Sequence, residues 1–291
     1  MMRDELILGL FASPVAHSLS PLIHHVGFLE NNINGRYFKI EANKQTLAEA
    51  FRSCQQQYGS SFKGANFSFP NKEVAISLAD RLDESVRWIG AMNTIAYQEK
   101  QWVGYNTDGP GFIRAIKEKN YPYQEAIWTM IGTGGAARSI IIQGALSGVH
   151  TIHIFATKPA YIASLSKQLE PIAAHTGCHF TFDLIENEAH MQQRVYESHI
   201  VINATSMGLD QWKSPVRDTF IFPDCLIGVI DINYQPLQSC FLTQASRQGC
   251  SIMNGLPMLI HQGIIAFEHW TGHTITSSSV QSLIDDVLTI H

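Results

Sequence analysis

Positive charge is scarce in this chain: 20 lysines and arginines stand against 25 aspartates and glutamates, a formal net charge of -5. Nothing is basic enough to track a phosphate backbone, which argues against a nucleic-acid partner. Long apolar runs are also missing. None reaches the ~18 residues of a membrane span, and the opening MMRDELILGLFASP puts acidic residues ahead of an apolar stretch too short for a signal peptide, so a cytoplasmic protein with no membrane partner is expected. The five cysteines, Cys54, Cys178, Cys225, Cys240 and Cys250, are odd in number and form no C-x-x-C pair. Reduced thiols follow from that spacing. Thirteen histidines include no H-E-x-x-H, and adjacent His24 and His25 would leave a helix in different directions, so no metal is expected. There is no G-x-S-x-G elbow for acyl transfer, no internal repeat and no low-complexity segment. What remains is the composition of an ordinary soluble enzyme, 45% hydrophobic and 15% charged, with 291 residues enough for about two domains.

The feature that organises the chain is a glycine-rich turn near its middle. In AIWTMIGTGGAARSIIIQGAL an apolar run, Ile127 to Ile131, meets Gly132, Gly134 and Ala137, and a helical pattern follows at once. This is G-x-G-x-x-A in strand–turn–helix context: room for a tight turn, for a pyrophosphate against the backbone, and for close packing of helix on strand. The free N–H groups of the helix would hold the phosphate. An ordinary βα turn has the same local spelling, but a second βα pattern, TIHIFA into KPAYIASLSKQL, weighs against it. Roughly 130 residues precede the turn, so the N-terminal half has to be a separate unit.

That half alternates too. LILGLFA, RYFKIEA and GANFSF read as strands, SPLIHHVGFLENN, TLAEAFRSCQQQY and KEVAISLADRL as helices, and MNTIAYQ with QWVGYN as a hairpin. Beyond the turn, HIVINAT and LIGVIDINY continue as strands, a helix runs from Met258 to Gly272, and HTITSSSV reads as a loop before a last helix. The fold class is α/β, with parallel sheets covered on both faces.

Three polar segments end strands of the N-terminal half. In His17-Ser18-Leu19-Ser20-Pro21, Ser20 reads as an N-cap with Pro21 opening the helix, which leaves Ser18 unexplained. In Asn66-Phe67-Ser68-Phe69-Pro70-Asn71-Lys72 the alternation buries two rings and displays an amide and a hydroxyl, and the turn sets Lys72 in a first helical turn, against the dipole. In Gly104-Tyr105-Asn106-Thr107-Asp108-Gly109, Asp108 suits a cap for the helix near Pro110. Together they place hydroxyls, amides, one cation and one anion at strand C-terminal ends, where open α/β sheets bind ligands. Such a set suits a small polyhydroxylated acid. A lysine near an aspartate also supplies the proton that carbonyl reduction by a nicotinamide requires.

At this point HSLSP, GANFSFPNK, GAMNT, GYNTDG, IGTGGAAR, INATSMG, VIDINYQP and GLPMLIHQGIIAFEHWTG, in that order over nearly the whole length, resemble the shikimate dehydrogenase family. The resemblance implies an N-terminal substrate-binding α/β domain (1–108 with 258–291) and a Rossmann-type dinucleotide-binding domain (109–257), with a cleft between them. It implies reversible NADP-dependent reduction of 3-dehydroshikimate to shikimate in chorismate biosynthesis, by a monomer or homodimer. Carried over residue by residue, it makes Lys72 the catalytic acid/base with Asp108 beside it. Ser18, Ser20, Ser68, Lys72, Asn93, Asp108, Tyr234 and Gln262 become substrate contacts. Gly132, Thr133, Gly134, Gly135, Ala136, Met207 and Gly255 become cofactor contacts, and Thr157 and Lys158 are the groups this chain itself offers the cofactor at the end of the second Rossmann strand. Several have plainer readings: Asn93 satisfying a turn, Tyr234 a packed strand-end ring, Gln262 bonded within its helix, Met207 as core and Gly255 as a turn.

The chain also departs from the family pattern. Ala12 replaces a glycine, His25 an asparagine and Ser68 a threonine. In IFATKP, Ala156 and Thr157 stand where NADP-dependent members carry the amide and arginine for the 2′-phosphate. Lys158 is the cation left there, and no carboxylate offers itself to ribose hydroxyls as NAD would want. NADP is therefore expected by a modest margin, with NAD usable. An NAD-dependent quinate/shikimate dehydrogenase, accepting quinate, is the alternative within the family, and a non-catalytic sensor of dinucleotide or shikimate is the alternative outside it. The intact Lys72 and Asp108 favour the enzyme.

Overall fold

A computed structural model describes residues 5–210 and 212–290. Chain contacts divide them into two compact units, one built from the residues up to Gly111 and again from Leu259 onward, the other from Phe112–Met258.

The first unit contains β1 (Leu6–Ala12), α1 (Ser20–Glu30), β2 (Gly35–Glu41), α2 (Leu47–Tyr58), β3 (Phe62–Phe67), β4 (Arg81–Leu82), α3 (Glu84–Ile89), β5 (Thr94–Gln98) and β6 (Gln101–Tyr105). The helix α4 (Asp108–Glu118) leads out of it. The strands form one sheet in the order β2-β1-β3-β5-β6-β4. The sheet is mixed: β1, β2 and β3 run parallel, as the strand–helix alternation implies, while β5 is antiparallel to both β3 and β6, in keeping with the hairpin read from the sequence. The hairpin of β5 and β6 forces this, because a two-residue connection can only join antiparallel strands. On one face Phe11, Phe51, Phe62 and Phe67 pack together, with Phe51 meeting Phe62 edge-on at 5.4 Å and Trp102 at 5.1 Å.

The second unit contains β7 (Ile127–Ile131), α5 (Gly135–Leu146), β8 (Thr151–Ala156), α6 (Pro159–Thr176), β9 (His179–Leu184), α7 (Glu188–Glu197), β10 (Ile200–Asn203), β11 (Gly228–Asp231), α8 (Cys240–Arg247) and β12 (Ile252–Met253). All pairings are parallel, in the order β12-β11-β10-β7-β8-β9. That is the doubly wound dinucleotide-binding order, with the reversal between β7 and β10. Every residue of β10 and β11 is buried, as expected of strands covered on both faces.

The chain then enters α9 (Leu256–Thr271) and α10 (Ser277–Ile290), which belong largely to the first unit. Trp270 on α9 donates its indole N–H to Ile95 O at 2.9 Å. Gly64 on β3 makes room for that ring, since a Cβ there would sit 2.1 Å from Trp270 Nε1. Other readings need correction. In the Asn66–Lys72 segment Phe67 is buried but Phe69 is 74% exposed, and Asn66 is buried where a displayed amide was expected, because the strand ends at Phe67. HTITSSSV is not all loop, for α10 already begins at Ser277. KEVAISLADRL forms only a short 3-10 helix, Val74–Leu78, because the chain must extend at Ala79 for Arg81 and Leu82 to pair with Val103 and Gly104 of β6. Ser20 is the first residue of α1 and not its cap; Leu19 holds the cap position, and Ser18 Oγ accepts from the Ser20 N–H at 3.2 Å.

His24 on α1 is wholly buried, its ring 4.3 Å from that of Tyr37 and 5.0 Å from that of Trp270. Burial drives its pKa from 6.5 down to about 3, a pull that the neighbouring Asn66 side chain opposes only weakly. A native histidine that stays neutral while the unfolded one takes up a proton loses stability as pH falls below 6.5, by up to about 1.4 kcal/mol per unit, until about 3 is reached. Thermal melts of His24→Phe between pH 7 and pH 4 should show a flatter acid decline than the wild type; parallel declines would contradict this account of His24.

Candidate active site

Strand direction gathers the polar segments of the first unit. β3 and β6 run the same way, so Ser68 and Asn106 leave from the same sheet end. Because β5 is antiparallel to both, it is its beginning that lies there. Thr94 pairs with Asn66 on one side and Tyr105 on the other, and Asn93 bridges the strands, its O accepting from Phe67 N–H at 2.8 Å and its N–H donating to Tyr105 O at 3.1 Å.

Asn71 pins the turn that carries Lys72. Its buried Nδ2 donates to Ala42 O at 2.7 Å and Phe11 O at 3.3 Å, while Met92 N–H donates to Lys72 O at 2.8 Å. Lys72 Nζ lies 2.5 Å from Asp108 Oδ2, the lysine side chain 24% exposed and the aspartate 7%. Lys72 thus precedes a 3-10 turn and does not oppose the dipole of an α-helix; Asp108, not a helix, explains its position. Asp108 is the first residue of α4, and its N–H is itself held by Asn106 Oδ1 at 3.2 Å. Its carboxylate is no cap but is engaged by Lys72 at one oxygen and, at the other, by Asn93 Nδ2 at 2.8 Å. Gln262 on α9 approaches the same amide, its Oε1 3.4 Å from Asn93 Nδ2, and its own Nε2 donates to Leu259 O at 2.8 Å. A Cβ on Gly111 would lie 2.7 Å from Gln262 N, so α4 and α9 meet closely here. Ser18 and Ser20 are joined by an Oγ–Oγ hydrogen bond of 3.2 Å.

In the second unit, Gly132 follows β7 with φ of 114°, and a Cβ there would lie 2.7 Å from Ala204 O, just past β10. The turn is therefore seated at the point where the strand order reverses. Gly134 caps α5, and around Gly134 and Gly135 a Cβ would meet nothing within 4 Å. Thr133 and Ala136 flank this open approach to the N–H groups of a helix of twelve residues, which fits a dinucleotide pyrophosphate. Thr157 and Lys158 are exposed just after β8, with Lys158 Nζ 5.9 Å above the Tyr161 ring.

Met207, Tyr234 and Gly255 follow β10, β11 and β12, and buried Asp231 ties their loops together. It accepts from Asn203 Nδ2 at 3.1 Å, Ser239 Oγ at 2.6 Å and Asn233 Nδ2 at 2.7 Å. Asn233 also donates to Thr205 O at 2.9 Å, Thr205 Oγ1 accepts from Met207 N–H, and Asn233 O accepts from Gly255 N–H at 3.0 Å. Burial pushes the Tyr234 phenol up, so the hydroxyl is kept as a donor. Among the described residues no group of histidines, cysteines and acids could hold a metal ion, and no helix is long and apolar enough to cross a membrane.

Comparison with known proteins puts this arrangement in a family. A model of the shikimate dehydrogenase substrate binding domain matches residues 10–95, and one of the shikimate 5'-dehydrogenase C-terminal domain matches residues 255–275. A shikimate dehydrogenase (NADP(+)) of Streptococcus pneumoniae strain JJA is 35% identical over 280 residues, 96% of each chain. The chain belongs to the shikimate dehydrogenase family. Among solved structures, shikimate 5-dehydrogenase from Listeria monocytogenes, in complex with shikimate and NAD, superposes with a TM-score of 0.88 at 31% identity, covering 96% of both chains. The Thermus thermophilus enzyme with NADP(H) and shikimate gives 0.81 at 28% identity, covering 95% of this chain and 97% of that one. The ligand-free form of 5-ketofructose reductase of Gluconobacter sp. strain CHM43 gives 0.84 at 27% identity, covering 99% of this chain and 100% of that one.

Of the residues expected to serve a site, Lys72, Asn93, Asp108 and Gln262 form one contact cluster in this family member. Ser18 and Ser20 form a pair, and Ser68 leaves β3 at the same sheet end. Tyr234 is a residue of the second unit. Sequence reasoning did not single out Thr107, whose N–H donates to Asn93 Oδ1 at 2.8 Å, or Thr94 and Asn66 as bonded partners of the cluster. Thr107 stood inside GYNTDG beside Asp108, and only the strand register makes the others neighbours.

Proposed function

We propose that this chain is a shikimate dehydrogenase, interconverting shikimate and 3-dehydroshikimate with NADP. The Lys72–Asp108 pair in its buried amide setting carries this reading, supported by the named relatives and by the glycine turn at the strand-order reversal. The bound dinucleotide supplies the chemistry of hydride exchange at the hydroxyl-bearing carbon. When the secondary alcohol becomes a ketone, its carbon gives up a hydride and its oxygen a proton. Lys72 is the group that takes that proton, and in the reverse direction its ammonium returns one to the oxygen. An ammonium carries three N–H donors, and Asp108 engages one, holding the head toward α4. Asn93 and Gln262 bound the same place with amide groups suited to ring hydroxyls, Ser18, Ser20 and Ser68 are the hydroxyl contacts that the first unit offers the substrate, and Tyr234 is the contact assigned to the second unit. Gly132, Thr133, Gly134, Gly135 and Ala136 hold the pyrophosphate, with Met207 and Gly255 toward the nicotinamide.

Incubating the protein with shikimate and NADP should generate reduced-nicotinamide absorbance. Binding of both ligands without turnover would indicate the non-catalytic sensor instead. Lys72→Ala should lower kcat by roughly 10²- to 10⁴-fold with little change in the KM for shikimate. A kcat close to that of the wild type would remove Lys72 from the chemistry.

The same reading assigns Thr157 and Lys158 to the ribose 2′-phosphate. Lys158 is exposed and caps α6 with its backbone, so its head can move to a phosphate, but as a point charge it replaces a bidentate arginine imperfectly. NADP is therefore preferred over NAD by about tenfold, ~1.4 kcal/mol, and NAD is still turned over. Lys158→Ala should shrink the ratio of kcat/KM values without harming turnover with NAD. A wild type that favours NAD outright would make Lys158 a solvated surface residue.

A further inference from the structure

We propose that Thr94 is a positioning residue for Asp108, acting through the side-chain amide of Asn93. Thr94 is fully buried, and it is the middle link of a chain of hydrogen bonds that runs from Tyr37 to Asp108. The Tyr37 hydroxyl donates to Asn66 Oδ1 at 2.7 Å. That turns the other end of the amide inward, and Asn66 Nδ2 donates to Thr94 Oγ1 at 2.9 Å. A hydroxyl that accepts in this way has its single proton left to give. Thr94 gives it to Asn93 Oδ1, at 3.1 Å, the nearer acceptor, since Thr107 Oγ1 lies 3.3 Å away and already accepts from Asn93 Nδ2 at 2.9 Å; Asn93 Nδ2 also donates to Asp108 Oδ1 at 2.8 Å. Lys72 closes the series from the opposite side, on Asp108 Oδ2.

The two ends of an asparagine amide have nearly the same shape, so packing alone does not choose between them. Reversed, Asn93 would set its oxygen against the Asp108 carboxylate and leave a buried amide N–H facing the Thr107 N–H. The Thr94 proton and the Thr107 N–H make the observed orientation the satisfied one. Burial pushes the Tyr37 phenol well above its usual range, which keeps the first donor of the series protonated. Donors in a low-dielectric series polarise one another, so the effect of Tyr37, Asn66 and Thr94 is felt at the carboxylate.

This proposal rests on the assignment of Lys72 and Asp108 made above, and its test separates the two. Thr94→Val keeps the shape and removes the hydroxyl; Thr94→Ser keeps the hydroxyl. With shikimate and NADP, Thr94→Val should lose kcat roughly tenfold, the worth of one well-placed hydrogen bond, with the KM for NADP unchanged. Thr94→Ser should recover kcat to within about twofold of the wild type, because only the donor matters. A Thr94→Val enzyme with the wild-type kcat, or a Thr94→Ser enzyme as slow as Thr94→Val, would overturn it. Melting temperatures of Thr94→Val, Asp108→Asn and the double variant give a readout that needs no turnover: the losses should be non-additive although the two side chains do not touch, and additive losses would overturn the proposal even if shikimate proved not to be the substrate. Should Thr94→Val fail to fold, Tyr37→Phe removes the first donor of the same series, and an unchanged kcat there would be equally decisive.

Discussion

A carboxylate that is nearly out of water is costly to keep unless donors surround it. Asp108 is in that position, and much of the first unit is arranged to meet its requirement. The antiparallel course of β5 brings Asn93 to the end of β3 and β6, the turn at Asn106 and Thr107 starts α4 with the carboxylate pointing back at that amide, and Asn71 holds the loop from which Lys72 reaches it. Removing one member of such a set leaves the others buried and unpaired, which is why the cluster is better regarded as one object than as separate contacts.

The second unit solves a different problem with backbone. A dinucleotide needs close approach more than it needs side chains, so Gly132 supplies a backbone angle other residues avoid and Gly134 and Gly135 leave the start of α5 uncovered. The loops after β10 and β11 meet through Asn233, which donates to Thr205 O at 2.9 Å. Asp231 joins them by collecting donors from Asn203, Asn233 and Ser239, so that Met207 and Tyr234 are carried by a single buried carboxylate. Charged groups are thus used in both units to orient loops.

Much of this was legible in the chain because the signals were local. The runs LILGLFA, TIHIFA and HIVINAT bury on both faces and could hardly be anything but inner strands, and the spelling of the glycine turn carries its own reason. The segment after Lys72 was misleading because its apolar residues do recur at helical spacing, yet pairing of β4 with β6 captures the chain after a single 3-10 turn. Ser20 had the right neighbours for a cap, but α1 starts at Ser20 itself, and Ser18 takes over part of that duty. The hydrogen-bond series from Tyr37 to Asp108 was out of reach for a different reason. Its members lie on β2 and β3, at and just before the start of β5, and at the start of α4, and the sheet register that sets Asn66 beside Thr94 makes its middle members partners.

The central claim is that Lys72 and Asp108 act as one device for moving a proton. The most direct test is a kinetic cycle measuring kcat for shikimate oxidation in the wild type, Lys72→Ala, Asp108→Asn and the double variant. If the pair is a unit, the double variant is about as slow as Lys72→Ala alone, since the aspartate has nothing left to hold. Fold-losses that simply multiply would show two residues working independently and would contradict the account.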